Sequence, residues 1–116
     1  MTTSPCSRFG RNLMAEFHVE RIARVDGVRL VLSGELDLSS TDRLISAGEN
    51  VPAGGALTLD LSGLSFIDSA GMRVLMNLDR RSRREGWSLA IENPRDQVLR
   101  LLQLCGFDQR LPITQR

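Results

Sequence analysis

The 116-residue sequence predicts a single α/β domain in which an N-terminal β-hairpin leads into alternating strands and helices. Asp26-Gly27 lies between two apolar segments and is typical of a hairpin turn. Strand-like runs at 28–32, 57–61 and 87–91 are separated by segments of helical periodicity. Because such strand–helix–strand units make parallel pairs, we expect a mostly parallel sheet of four or five strands with about three helices. A chain of this length covers one sheet face well and leaves the other thin.

The composition excludes several classes of protein. Apolar residues make up 41% and charged residues 25%, which is typical of a globular domain. A formal net charge of +1 gives no global electrostatic case for direct binding of nucleic acid, and no apolar run approaches the about 20 residues of a membrane span. The two cysteines, Cys6 and Cys105, have no metal-ligand spacing and favour a reducing, cytoplasmic location.

The domain boundary is predicted near the N-terminus. Residues 1–14 are expected to form a flexible tail and residues 15–116 a single domain. The tail is polar and lacks the apolar stretch of a secretory signal. Met14 is an alternative start of the natural chain.

The first half of the domain is predicted to hold three strands and one helix. The hairpin spans about residues 16–33, and its second strand, 28–32, is expected to be buried on much of both faces. Capping residues at 40–42 begin a helix that reaches about Glu49. Strict alternation then indicates a strand over 56–61, and residues 62–65 are interpreted as a loop.

The second half is predicted to contain two helices and two strands. Apolar residues at helical spacing indicate a helix over 69–84, which Gly86 ends, and 87–91 is the next strand. Pro94 suits the first position of a third helix, and Gly106 ends it. The apolar face of that helix is expected to comprise Val98, Leu101, Leu102 and Cys105. A short edge strand is expected at 111–113.

One serine stands out by its predicted position. Ser69 follows a strand end and opens a helix, where backbone N–H groups are unpaired and a phosphate would be tolerated. The simpler interpretation is that Asp68 or Ser69 only caps the helix. Hydrolytic catalysis is disfavoured because Ile67 occupies the position of the glycine in a nucleophile elbow, and His18 is the single histidine.

Other polar and apolar residues also have both a functional and a purely structural interpretation. Asp37 follows the second strand, so parallel strands would bring it to the same sheet edge as Ser69, although alone it is an ordinary loop residue. The arginines at 80–84 are interpreted as a solvated helix end, since the chain has no Tyr and one Trp to interleave with them. Phe66, Met72 and Met76 form either part of the core or an exposed apolar patch, and core is the default expectation. The acidic residues show no metal-site spacing.

Three segments together resemble the STAS domain family, in particular the stand-alone bacterial anti-sigma factor antagonists. They are Gly34–Asp37, Leu59–Ser62 and Phe66–Gly71, and the resemblance covers roughly residues 16–114. It implies a STAS-type fold that acts by binding, with neither catalysis nor a cofactor. It also implies an anti-sigma factor as partner, a serine kinase that uses ATP, and a metal-dependent phosphatase that reverses its action.

The resemblance also assigns roles to residues. Ser69 corresponds to the serine that the anti-sigma factor phosphorylates, and the unphosphorylated antagonist binds that factor and frees the sigma factor. Ala70 stands where the family usually has a second hydroxyl. The predicted partner-binding residues are Asp37, Ser39, Ser40, Asp68, Ser69, Ala70, Gly71 and Met72. A STAS module for a non-sigma partner and a small ligand-binding domain remain alternatives, and a homodimer is possible.

Overall fold

Strands and helices alternate along residues 16–115, the part of the chain that the computed structural model describes. In chain order the elements are β1 (His18–Arg24), β2 (Gly27–Leu36), α1 (Thr41–Ala47), β3 (Ala56–Ile67), α2 (Ser69–Glu85), β4 (Ser88–Glu92), α3 (Asp96–Leu104), a 3-10 helix (Phe107–Gln109) and β5 (Ile113–Thr114). The order of strands and helices that the sequence predicts is therefore the observed order. The predicted tail at 1–14 lies outside the described residues.

The sheet has its strands in the order β1-β2-β3-β4-β5. β1 pairs antiparallel with β2, and each later pair is parallel. The predicted fold class, an N-terminal hairpin followed by a mostly parallel sheet, is confirmed. Right-handed crossovers that always advance in the same direction put their helices on the same face of a sheet.

The two faces of the sheet differ in burial. Along β2, β3 and β4 fully buried residues alternate with half-buried ones, so one face alone forms the core. All three helices contribute to a single hydrophobic cluster with that face. The opposite face carries Arg29 between Asp60 and Glu92, with N–O distances of 2.8 and 2.9 Å. These three residues form a charged ladder across β2, β3 and β4.

Two strands extend further than the sequence predicts. β2 continues to Leu36. β3 continues to Ile67 through residues 62–65, where the sequence pattern predicts a loop. The loop interpretation is wrong because residues 63–67 pair with the end of β2, with shifts of register on either side of Gly34. Gly34 has a φ of 87°, and a side chain there would collide with the Glu16 backbone. Non-local pairing with a bulged backbone hides the alternation that marks a strand.

The hairpin turn lies one residue earlier than predicted. Arg24 pairs with Gly27, which leaves Val25 and Asp26 as the two turn residues. Gly27 instead begins β2, where a Cβ would collide with the backbone carbonyl of Ala56 on β3. The glycine is therefore required by the close approach of β3.

The helices mostly match their predicted positions. Gly86 ends α2 in the left-handed conformation, with a φ of 82°, as predicted. α3 begins later than expected, because Asn93 turns with a φ of 55° and its N–H bonds to the Thr114 carbonyl before the helix starts. Pro94 therefore precedes the helix. The buried face of α3 is Val98 and Leu102 alone, since the side chains of Leu101 and Cys105 are exposed.

The C-terminal segment is fastened to α2 by a buried carboxylate. Asp79 is 3% exposed and lies 2.8 Å from the Arg110 guanidinium, with Arg83 at 3.4 Å. β5 then pairs with the end of β4 at Ile113 and Thr114, two residues further along than the predicted strand begins. Leu111 cannot join the sheet because its N–H bonds back to the carbonyl of Phe107.

Candidate functional site

The structure brings the two loops that follow β2 and β3 to the same edge of the sheet. Leu36 and Ile67, the last residues of these strands, are paired in register. The Asp68 N–H then donates to the Leu36 carbonyl at 3.2 Å, which fastens one loop to the other. Asp37 and Asp68 therefore follow neighbouring strand ends, as the parallel arrangement leads one to expect.

The β2–α1 loop is built around the carboxylate of Asp37. Its Oδ1 accepts from the Ser39 hydroxyl at 2.6 Å and from the Ser39 N–H at 3.0 Å. The Ser39 hydroxyl hydrogen bond is the main cause that lowers the pKa of Asp37, against the opposing effect of burial. A lowered pKa keeps this carboxylate ionised at neutral pH, so the edge carries a fixed negative charge.

Ser40 is buried and hydrogen-bonds to the backbone of the β2–α1 loop. Its side chain is 1% exposed, and its Oγ accepts from the Asp37 N–H at 3.0 Å. The same hydroxyl lies 3.1 Å from the Glu35 carbonyl, to which it donates. Buried hydroxyls are normally satisfied in this way. Ser40 therefore holds the loop in shape, while Ser39 lies exposed on it.

Asp68, and not Ser69, caps α2. Asp68 has extended backbone angles, and its Oδ1 accepts from the Gly71 N–H at 3.0 Å. Ser69 is the first helical residue and is exposed, and its hydroxyl has no hydrogen-bond partner among residues 16–115. The cap interpretation, which allowed either Asp68 or Ser69, is therefore confirmed for Asp68, and the Ser69 hydroxyl takes no part in closing the helix end.

The next residues of α2 anchor the helix start to the sheet. A Cβ on Gly71 would lie 2.8 Å from the Leu36 carbonyl oxygen and 2.8 Å from a side-chain carbon of Ile67. Met72 is buried, and Ala70 is partly exposed. Gly71 and Met72, both predicted to bind a partner, thus face inward. They set the position of Ser69 and offer little surface to another molecule.

Two apolar side chains that the sequence analysis did not assign to the site flank it. Leu38 is 76% exposed on the β2–α1 loop, and Phe66 is 45% exposed at the end of β3. Phe66 pairs with Glu35 on β2 and points away from the core that Ile67 enters. Met76, two turns along α2, is also exposed. The expectation that Phe66 and Met76 are core is wrong, while Met72 is core.

The part of the chain that the structure describes contains neither a cluster of metal-ligand side chains nor a helix suited to span a membrane. Within residues 16–115 no group of three or more His, Cys, Asp or Glu side chains could hold a metal ion. None of the helices that the structure describes is both long and apolar enough to pass through a bilayer. The predicted carboxylates of the site, those of Asp37 and Asp68, are both engaged by backbone N–H groups.

A separate groove lies between α1 and α2, on the half of α2 away from Ser69. It has a volume of about 290 Å³ and is lined by Ile45, Val74, Asn77, Leu78, Arg80, Arg81 and Arg84. Its polar lining consists of one amide and of arginines on the helix surface. A small-molecule site usually combines an enclosed apolar cavity with convergent polar groups. The groove therefore gives little support to the ligand-binding alternative.

The fold and this edge define a class: small α/β domains that present a serine at the start of a helix beside an acidic loop. The chain belongs to the STAS domain family, since the family model described as "Mlab, STAS domain" matches residues 20–114. The match spans every strand and helix, apart from the first two residues of β1.

Several proteins similar to this chain are anti-sigma factor antagonists. The chain is 25% identical to the anti-sigma-B factor antagonist of Bacillus subtilis (strain 168) over 93 residues, which cover 77% of this chain and 83% of that protein. It resembles the crystal structure of an anti-sigma factor antagonist from Mycobacterium paratuberculosis with a TM-score of 0.66 and 22% identity, over 85% and 86% of the two chains.

A third similarity concerns the unphosphorylated form of a protein of this kind. The anti-sigma factor antagonist SpoIIAA in that form matches with a TM-score of 0.59 and 18% identity, over 85% of this chain and 86% of the other. Both structural similarities establish the STAS-type fold of the chain.

Proposed function

We propose that this protein is an anti-sigma factor antagonist. In its unphosphorylated form it binds an anti-sigma factor through the edge formed by the β2–α1 loop and the start of α2, and so releases a sigma factor. Phosphorylation of Ser69 by the anti-sigma factor, a serine kinase, switches it off, and a metal-dependent phosphatase restores it. The protein acts by binding in the cytoplasm, and its own residues perform no catalysis.

The observation that carries this proposal is the state of the Ser69 hydroxyl. It is exposed, has no hydrogen-bond partner within residues 16–115, and stands on a helix whose cap is supplied by Asp68. A kinase can therefore reach it without dismantling a structural contact. Leu38 and Phe66 add exposed apolar surface at the same end of the sheet, and the core of a protein interface is more apolar than the rest of the surface.

The switch follows from charge. In the proposed step the Ser69 oxygen bonds to the γ-phosphorus of ATP, the bond to ADP breaks, and the hydroxyl proton leaves. The phosphate adds about −1.5 to −2 charges at neutral pH. Asp37 already holds a negative charge at this edge, so a partner packed against it would meet a second, larger one. A reversal from mostly bound to mostly free requires about 5.5 kcal/mol of differential affinity.

The test is a pull-down from host lysate with wild type, Ser69→Ala, Ser69→Asp and Ser88→Asp as baits. Ser88 is an exposed serine at the start of β4, on the opposite edge of the sheet, and serves as the matched control. We expect a kinase-fold anti-sigma factor on the wild-type, Ser69→Ala and Ser88→Asp baits, and its loss from Ser69→Asp. Equal capture on all four baits, or capture of no kinase-fold protein, would contradict the proposal.

A second function, a STAS module for a non-sigma partner, is favoured by two observations. The matching family model is described by the name Mlab and not as an antagonist. Ala70 also replaces the hydroxyl residue usual in the antagonist motif. In this case the same edge would bind a protein that is not a kinase, and the Ser69→Asp bait would retain it. The four-bait experiment thus separates the two functions.

A further inference from the structure

The exposed face of α2 carries a basic residue one turn beyond Ser69. Ser69 and Arg73 are both exposed and are separated by four residues, which places them as neighbours on one helix face. Arg73 makes no ion pair and no side-chain hydrogen bond among residues 16–115. An exposed guanidinium without a partner thus lies beside the proposed phosphorylation site.

The other charged groups at this edge cannot take that role. Asp37 and Asp68 are carboxylates and would repel a phosphate. Arg95, at the start of α3, donates to the Ser62 carbonyl at 2.9 Å. Arg43, on α1, stacks over the Phe17 ring at 5.3 Å. Within the described part of the chain, Arg73 is the cation that the i, i+4 spacing on α2 places next to Ser69.

We propose that Arg73 binds the phosphate of phosphorylated Ser69 within the same chain. This inference rests on the proposed phosphorylation of Ser69. An acidic group N-terminal to a basic one at i, i+4 is the favourable orientation on a helix, and a guanidinium can hold two phosphate oxygens at once. The pair would fix the phosphate along α2. Phosphorylation would then also neutralise a basic residue that the unphosphorylated surface presents to its partner.

Arg80 provides a matched control on the same helix. It is exposed, like Arg73, and its guanidinium donates to Asn77 Oδ1 at 3.1 Å. Eleven residues separate it from Ser69, which is about 16 Å along a helix that rises 1.5 Å per residue. Removal of Arg80 changes the net charge as much as removal of Arg73 does, and leaves the proposed pair intact.

The experiment measures the second pKa of the phosphate by ³¹P NMR. Phosphoserine is placed at position 69 during synthesis by codon suppression, so neither a kinase nor an anti-sigma factor is needed. Four full-length proteins are compared: Arg73 wild type, R73Q, R73K and R80Q. We expect the pKa of the phosphate to be about 0.3 lower in wild type and R80Q than in R73Q, with R73K between them.

Each outcome decides the matter. Equal phosphate pKa values in wild type and R73Q would overturn the proposal, and so would equal increases in R73Q and R80Q, which would indicate a general field. Thermal melts of the unphosphorylated proteins check that the fold is unchanged, and R73K keeps the test valid if R73Q is destabilised. Because the NMR samples contain no partner protein, the phosphate pKa tests the Arg73–phosphate pair separately from the pull-down, which tests the proposed function.

Discussion

At the scale of single residues, the sequence predicts that α2 begins with a capped turn at Asp68-Ser69, but it does not predict which of the two residues is the cap. The Asp68-Ser69 pair at a strand–helix boundary identifies a capped helix start from local sequence alone. Which of the two residues caps the helix depends on side-chain direction, and the Asp68–Gly71 hydrogen bond settles it. The exposure of Phe66 was missed, although strand alternation with the buried Ile67 could have indicated it.

Gly71 supports a prediction in which two effects oppose each other. Alanine is normally favoured over glycine within a helix by about 1 kcal/mol. Here an added Cβ would lie 2.8 Å from the Leu36 carbonyl oxygen, so we expect Gly71→Ala to lower the free energy of unfolding by about 1–3 kcal/mol. Urea denaturation measures it, with Ser69→Ala on the same helical turn as a near-neutral control. A stabilised Gly71→Ala protein would show that the helix does not lie this close to β2.

At the scale of elements, the sequence predicts which segments exist better than where they end. The alternation in 56–61 identified the first half of β3, since the core side chains there recur at every second residue. The second half pairs with the end of β2 only, through two shifts of register. Such pairing is a property of two distant segments, so neither segment alone carries its signal. The late start of α3 depends likewise on the remote contact of Asn93 with Thr114.

The charged ladder across β2, β3 and β4 predicts a pH dependence of stability. Burial raises the pKa of Asp60, but hydrogen bonds from Ser62 and the Arg29 guanidinium outweigh it, and the pKa is lowered from its ordinary 3.8. A carboxyl whose pKa is lower in the folded state stabilises the fold above its ordinary pKa and loses that contribution as the pH falls below it. We expect stability to fall between about pH 5 and pH 3 partly through Asp60.

The measurement is urea unfolding at several pH values for wild type and Asp60→Asn. The variant should unfold more easily at pH 7 and show a weaker loss of stability on acidification. Asp42→Asn, at an exposed position near the start of α1, is the control that removes one carboxylate outside the ladder. Parallel pH curves for wild type and Asp60→Asn would mean that the ladder does not contribute to acid sensitivity.

At the scale of the whole molecule, the length of the chain predicted a sheet whose helices cover one face and leave the other thinly covered. Three helices cover a single face, and the charged ladder lies on the other. The site lies at the sheet's end rather than on either face, fixed by the Asp68–Leu36 hydrogen bond and by the close contact at Gly71. The hydrophobic pattern along the chain predicts a sheet covered on one face because that covering depends on the total amount of apolar surface. The exposure of Leu38 and Phe66 depends on the local course of the backbone, which the pattern does not determine.

The contacts that fix the start of α2 to the sheet predict how phosphorylation affects the fold. Among residues 16–115 the Ser69 hydroxyl holds no other group in place, so a phosphate there should change the surface and leave the backbone in place. Crystal structures of the free and the phosphorylated protein should therefore superimpose, including α2 against the sheet. Ser69→Ala crystallised in parallel gives the spread between equivalent structures. A rotation or translation of α2 beyond that spread would contradict the prediction.

The buried carboxylate of Asp79 has a consequence for how the chain folds as it is made. Asp79 leaves the ribosome 31 residues before Arg110, its closest cation. Until Arg110 arrives, docking of α2 would bury the Asp79 carboxylate with the exposed Arg83 as its one ion-pair partner in the described part of the chain. We therefore expect the final docking of α2 to follow synthesis of the C-terminal segment, so that the core is completed only after Arg110 has been added to the chain. A nascent chain stalled before Arg110 would remain a loosely packed target for chaperones.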